Sequence, residues 1–387
     1  MSAPRQLPGT MVRIAFLYIA EAYQAYHAAA VMFELMARPG IEVDVFHIED
    51  TLPDHLDLLA KAHGAAPVNS RKLRPGAWGG AIQSVKLLGL AKPQVLARNE
   101  ALFKDYDALV STEDGIVRLF AGESEDRRPL RILMTHGAGM RAVPSAQSRR
   151  DMDLVIAKGP GDRQQWLDRI DFRPDQIVAG GYPKMVSARL LSEKREPIFQ
   201  IDQPTVLYNP HKEPKERSWE LFFPELLRGF RADRSRNLIV APHVKLFRRR
   251  SARLRARLSA LSDQTILVDP GSERSLDNSY TEAADIYVGD VSSQVVEFLA
   301  RPRPCVFLNA HGADWQDNPH YALWHLGEVV DDPADLMPAI ERAPRLHERF
   351  AEKQQQIADR TLGEPGEASV IASADIIASF VRERKAG

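Results

Sequence analysis

The sequence predicts an α/β protein of two Rossmann-like domains facing across a cleft. Three observations predict it. The chain opens strand–helix–strand between Val12 and Ile48, a unit that implies a parallel sheet covered by helices. A second series of strands and helices begins at Thr205. Between the two series, residues 190–203 carry mixed charges and Pro197 and read as a linker. A length of 387 residues also fits two domains. The expected bounds are 1–190 for the first domain and 204–370 for the second, with a terminal helix over 371–387 packing back on the first.

Val12–Ile19 is apolar except for Arg13 and reads as a central strand. Glu21–Arg38 is a helix stopped by Pro39-Gly40, and Ile41–Ile48 is the second strand. The turn Tyr18-Ile-Ala-Glu-Ala-Tyr has no glycine, so it is not the dinucleotide fingerprint, and a nicotinamide or flavin cofactor loses its main support. Leu52–Ala60 reads as a helix and Lys61–Gly80 as a long loop. Ile82–Glu100 is basic and amphipathic, with breaks at Gly89 and Pro93; it suits a membrane surface or, more plainly, a solvated helix face. Tyr106–Ser111, Arg131–Met134, Asp153–Ala157 and Gln176–Val178 are strands, and Asp162–Arg169 is a helix.

In the second series the strands are Thr205–Tyr208, Asn237–Val240, Thr265–Val268, Ile286–Val288, Cys305–Leu308 and Val329-Val330. Trp219–Phe230 is helical, with Pro224 as a start or a kink. Leu246–Leu261 is an Arg-rich helix, Pro333–Arg342 another, and Glu367–Lys385 closes the chain. No repeat with a period of roughly 20–50 residues appears.

A net charge of -1 gives no global pull toward nucleic acid or anionic membrane. The single cysteine, Cys305, excludes an intrachain disulfide framework and a multi-cysteine metal site, and its apolar surroundings predict a buried, inert thiol. The first ten residues hold no apolar segment of signal-peptide type, and no window approaches the ~20 apolar residues of a spanning helix. A cytoplasmic protein is expected, with peripheral contact at the inner face of the membrane as the alternative. No metal signature, Ser-nucleophile elbow or P-loop occurs, and no cofactor is expected.

Chemistry-bearing residues collect at predicted strand ends, where α/β domains bind ligands. Thr135-His136-Gly137 follows one strand; the glycine lets backbone and ligand approach closely. Histidine titrates near neutrality and can take a proton from a hydroxyl or, as a cation, hold a phosphate. Asn209-Pro210-His211-Lys212 offers an amide and positive charge. His243 follows another strand. In Asp290-Val-Ser292-Ser293, N-cap-type residues precede a helix with Val295, Val296, Leu299 and Ala300 at helical spacing; its amino end suits the phosphates of an activated donor. The same pattern also fits an ordinary capped helix. Lys245, Arg248, Arg249, Arg250, Arg253, Arg255 and Arg257 suit nucleic acid, anionic lipid, a polyanionic acceptor or plain solvent.

In order along the chain, these residues resemble the CDP-glycerol glycerophosphotransferase family of teichoic acid primases and polymerases, of GT-B architecture. The likeness runs from about Leu130 to Asn309. It comprises His136-Gly137 with Arg141, Gly181-Tyr182-Pro183-Lys184, Asn209–Lys212, His243, and Ala284-Asp285 through Asp290-Val291-Ser292-Ser293 with Glu297 beyond. Val291 stands where the family has tyrosine, and Asn209–Lys212 lacks its tryptophan. The resemblance implies a first domain for the acceptor and a second for the donor. A phospho-alditol would pass from a CDP-linked donor to a hydroxyl acceptor, lipid-linked or polymeric, with no nucleic-acid partner. It implies catalytic His136 and His243, with His136 as general base. Gly137, Arg141, Tyr182, Asn209, His211, Lys212, Asp290, Ser292, Ser293 and Glu297 would bind substrate. A GT-B glycosyltransferase with a nucleotide-sugar donor, or a non-catalytic nucleotide- or polyanion-binding member of the fold, fits the same residues.

Overall fold

A computed structural model describes residues 11–74, 88–137, 146–248, 250–292, 294–363 and 365–386. The chain forms two compact units. The first takes Met1–His136, Ala142–Ser187 and Leu362–Gly387, and the second Gly137–Arg141 and Ala188–Thr361.

The first unit is built on seven parallel strands: β1 (Val12–Tyr18), β2 (Ile41–His47), β3 (Ser70–Lys72), β4 (Ala108–Ser111), β5 (Leu130–Met134), β6 (Leu154–Ala157) and β7 (Ile177–Ala179). Their order is β3-β2-β1-β4-β5-β6-β7. β4, β5 and β6 are buried along their whole length, as strands covered by helices on both faces must be. The order reverses between β1 and β4, which pair from Ile14↔Ala108 to Leu17↔Ser111. One core includes Leu17, Leu109, Ile116, Leu133, Val155 and Ile177.

The second unit repeats the plan with β8 (Thr205–Asn209), β9 (Asn237–Val240), β10 (Ile266–Val268), β11 (Ile286–Gly289), β12 (Cys305–Leu308) and β13 (Glu328–Val330), ordered β10-β9-β8-β11-β12-β13. Here the reversal lies between β8 and β11, where Gly289 pairs with Asn209. Phe222, Leu226 and Phe230 from one helix and Leu336, Ala339 and Ile340 from another meet Val206, Val240, Val288 and Val306 of the sheet in its core. Both sheets are thus Rossmann-like. Cys305 is buried, and burial pushes its thiol far above the usual range. Among the described residues no helix is long and apolar enough to cross a membrane.

Several elements differ from expectation. Ser70–Lys72, inside the predicted long loop, is an edge strand; it pairs in register with β2, Arg71 lying over the Phe46 ring, and shows no apolar alternation. Leu88–Asn99 is helical straight through the breaks placed at Gly89 and Pro93, while residues 82–87 lie outside the described set. Trp219–Ala232 likewise runs through Pro224. That proline costs about 3 kcal/mol. Burying Phe222, Phe223, Leu226, Leu227 and Phe230 returns about 1.5–3 kcal/mol each, so packing wins. The Arg-rich helix is shorter, Ala252–Ser259. Lys184–Lys194, partly placed in a linker, is a helix, and Glu348–Leu362 is a further helix that periodicity does not announce.

At the β8/β11 reversal there is no room for a side chain on Gly289. A Cβ there would lie 2.8 Å from the Asn209 carbonyl oxygen and 2.8 Å from the Tyr287 hydroxyl. Gly289→Ala is expected to destabilise the second unit by about 1–3 kcal/mol. Urea unfolding checks this, and an unchanged midpoint would contradict the close approach.

Candidate functional site

Each unit carries a polar cluster at the carboxyl ends of its strands. In the first unit His136 follows β5. Its Nδ1 lies 2.7 Å from the Thr112 carbonyl oxygen at the end of β4. A carbonyl only accepts, so Nδ1 bears the hydrogen and Nε2 keeps its lone pair. Nε2 is 3.9 Å from Glu113 Oε1. Glu113 is held by Gln24 Nε2 at 2.7 Å and by Lys92 Nζ at 2.9 Å. Gln24 Oε1 in turn accepts from the Thr112 hydroxyl at 2.7 Å. Burial pushes the Glu113 carboxyl up, but the Lys92 charge and the Gln24 hydrogen bond outweigh it, and the net shift is downward. Burial is also the largest influence on His136 and lowers its pKa; Glu113 and the Thr112 carbonyl work the other way. The imidazole is therefore neutral near pH 7. Its side chain is 35% exposed, so solvent and a ligand can reach it.

Behind His136 the chain packs further titratable groups. The His27 ring lies 6.0 Å from that of His136 and 5.7 Å from that of Tyr182. His27 is buried, and desolvation followed by the Lys184 charge holds its pKa well below the usual range. Tyr182, expected to bind substrate, is only 3% exposed, with its hydroxyl 3.3 Å from His27 Nδ1. Its ring packs against that of His27 beneath His136. Lys158 is buried, its ammonium 2.9 Å from Asp162 and donating to Thr135 Oγ1 at 3.3 Å. Gly137 has φ +74, a conformation that favours glycine, and no described residue lies within 4 Å of where a Cβ would stand. Arg141 lies outside the described residues.

In the second unit Asp290, just beyond β11, has no exposed surface. Its Oδ2 accepts from the backbone N–H of His211 at 2.7 Å and of Ser218 at 2.9 Å. Its Oδ1 has no partner among the described residues. Burial raises the carboxyl from 3.8 to about 7. Asn209 is 2% exposed; it donates to the Ala241 carbonyl at 2.6 Å and accepts from Tyr287 and Ser292 hydroxyls at 3.3 Å each. Asp290 and Asn209, both expected to bind substrate, thus spend Asp290 Oδ2 and the Asn209 amide on tying the ends of β8, β9 and β11 together.

Ser292 is 6% exposed, and its Oγ also accepts from the Gln294 N–H at 3.2 Å. The helix that follows, Gln294–Phe298, has five residues, too few for the strong helix-end field the sequence suggested. Glu297, expected at a donor hydroxyl, is buried within it at 4% exposure. Ser293 lies outside the described residues.

The exposed rim is made by other groups. His243 Nδ1 accepts from the Lys245 N–H at 3.1 Å, so its Nε2 carries the hydrogen. His243 and His136 thus hold opposite tautomers. The His243 ring stands edge-on to that of His211, centroids 5.7 Å apart. His211 is buried, its Nδ1 2.8 Å from Glu216 Oε2; the other Glu216 oxygen is 2.8 Å from His320 Nε2. Lys212 pairs with Glu213 at 2.6 Å. Sequence reasoning missed Glu113, Glu216, His27, Lys158 and His320. Glu113 alone had a signal, an acid directly after a strand end.

No protein-family model matches the chain, and no curated protein matches it in sequence. Solved structures do match. A histidine-to-asparagine variant of the wall teichoic acid polymerase TagF, soaked with CDPG, has a TM-score of 0.64 at 12% identity, covering 97% of this chain and 90% of that one. A putative UDP-N-acetylglucosamine 2-epimerase from Listeria monocytogenes has a TM-score of 0.63 at 12% identity, covering 96% and 97%. The UDP-GlcNAc 2-epimerase from Neisseria meningitidis, bound to UDP-GlcNAc, has a TM-score of 0.60 at 12% identity, covering 95% and 100%. At these identities the likeness is one of fold.

The Asp290 carboxyl generates a pH prediction. Its folded pKa lies above its unfolded one, so the folded state binds the extra proton, and stability falls as pH rises from 3.8 to about 7. Relative to Asp290→Asn, the natural protein should lose up to about 4 kcal/mol across that window. Parallel urea titrations at several pH values read this difference directly. A flat or rising difference would show that folding does not raise the Asp290 pKa.

Proposed function

We propose that this chain is a transferase that moves a glycerol-phosphate or related phospho-alditol group from a CDP-linked donor to a hydroxyl acceptor. The observation that carries the reading is the His136 tautomer. Nδ1–H is held by a backbone carbonyl, Nε2 is left to accept, and a carboxylate stands 3.9 Å away. That is the arrangement of a general base. The Rossmann-like plan of both units, the resemblance of the His136, His243 and Asp290–Ser292 segments, and the fold shared with a polymerase soaked with CDPG support the donor class.

In the proposed reaction the acceptor hydroxyl gives its proton to His136 Nε2 as its oxygen attacks the β-phosphorus. The bond from that phosphorus to the bridging oxygen breaks, and CMP leaves with the electron pair. Glu113 steadies the imidazolium that forms. In the second unit the Nε2–H of His243 and the ammonium of Lys212 are the groups we assign to the diphosphate, since donors fixed beforehand stabilise charge without reorganisation. Gly137, with no side chain, leaves the backbone next to the base open. Ser293 and Arg141 keep their expected roles within this proposal, while Ser292, His211 and Asn209 hold the frame.

A nucleotide-sugar donor is the second reading. Val291 and His211 stand where the resembled family has tyrosine and tryptophan, and a neighbour of this fold is bound to UDP-GlcNAc. A panel of donors separates the two: CMP released from CDP-glycerol supports the first, UDP released from a UDP-sugar the second.

His136→Ala is expected to lower turnover by ~10²-fold or more with an unchanged melting temperature. Turnover within a few-fold of normal would remove the base assignment.

A further inference from the structure

Between Val244 and Ser262 the chain holds seven basic residues and no acidic one. Seven positive charges on a chain of net -1 leave the remainder at -8, so this stretch is a local excess on an acidic body. It follows β9 and includes the helix Ala252–Ser259, which begins at Ser251, whose hydroxyl accepts the Leu254 N–H at 3.2 Å. No residue of that helix is buried. Lys245, Arg250, Arg253, Arg255 and Arg257 are exposed and make no ion pair among the described residues. Elsewhere on the surface, arginines such as Arg189 and Arg234 find carboxylates.

This arrangement is unfavourable for the protein alone. Arg253 and Arg257 are four apart on one helix face and repel. Arg253 sits in the first turn, where the helix favours negative charge, and that turn contains no acid. Eight residues without a buried face gain little from helix propensity. An anionic surface reverses the first two penalties. Leu254, 37% exposed, projects among the arginines. The aromatic residue of the stretch, Phe247, is buried, so no ring is offered for stacking on bases. Cations around an exposed leucine suit phosphate headgroups with an apolar layer beneath them.

We propose that Lys245, Arg250 and the helix Ala252–Ser259 form a docking surface for an anionic lipid bilayer. The proposal is independent of the reaction assigned above, because it is read by binding without turnover.

The test is sedimentation of the full chain with vesicles of phosphatidylcholine alone or mixed with phosphatidylglycerol. Binding is expected only to the anionic vesicles, with release in high salt. Each basic residue near such a surface contributes about fivefold in affinity, so the variant Arg253→Gln, Arg255→Gln, Arg257→Gln should bind on the order of 100-fold more weakly. The corresponding Arg→Lys variant should bind nearly as well as the natural chain, and Leu254→Asp should bind more weakly. If the Gln variant fails to fold, the Lys variant and the salt titration still decide the matter. Equal binding to both vesicle types, or undiminished binding by a folded Gln variant, overturns the proposal. So does binding to RNA or heparin without binding to vesicles.

Discussion

A carboxyl group with no access to water holds the second unit's strand-end cluster in place. Asp290 accepts two backbone N–H groups from the loop after β8, those of His211 and Ser218, and so fastens that loop to the end of β11. Burying a charge is expensive unless hydrogen bonds compensate it. Burial pushes the carboxyl up to about 7, against the two bonds to one oxygen; the other oxygen has no partner among the described residues. Asn209 adds the neighbouring tie, joining β8 to the segment after β9 and to β11. The two side chains fix where His211 stands, and through it Glu216, His320 and the edge-on ring of His243.

The first unit solves the equivalent problem with a chain of contacts in which the Glu113 carboxylate is paired with the Lys92 ammonium. Ser111 donates to the Leu17 carbonyl across the β1/β4 reversal and accepts from the Glu113 N–H. Glu113, Gln24, Thr112 and Lys92 then close a network around His136. Satisfied buried networks are rigid. The result is one imidazole in one tautomer, exposed on one side. Rigidity here comes from the neighbouring strand ends of β1, β4 and β5, not from any local sequence feature.

The two histidines at the strand ends are chemically unlike although the sequence presents them alike. A carbonyl faces Nδ1 of His136, and an N–H faces Nδ1 of His243. The first is thereby an acceptor at Nε2 and the second a donor. The difference is set by the backbone group that each ring meets, an acceptor in one case and a donor in the other.

Local pattern alone determined the strands and their polar ends, because fully buried parallel strands such as Leu154–Ala157 and Asn237–Val240 are apolar runs bounded by turn residues. It also determined two successive α/β series. It did not reveal Ser70–Lys72, which has no apolar residue, nor Glu348–Leu362, whose buried positions include Gln354 and Thr361. It also missed part of Lys184–Lys194, where buried Ser187 answers His63. Only the tertiary structure decided which polar residues at those strand ends face outward. Asp290, Asn209, Ser292 and Glu297 look like ligand groups in sequence and turn out to be buried, while Glu113 and Glu216 become the histidines' partners. A side chain's hydrogen-bond partners come from strands adjacent in the sheet but distant in the chain, and periodicity carries no record of them.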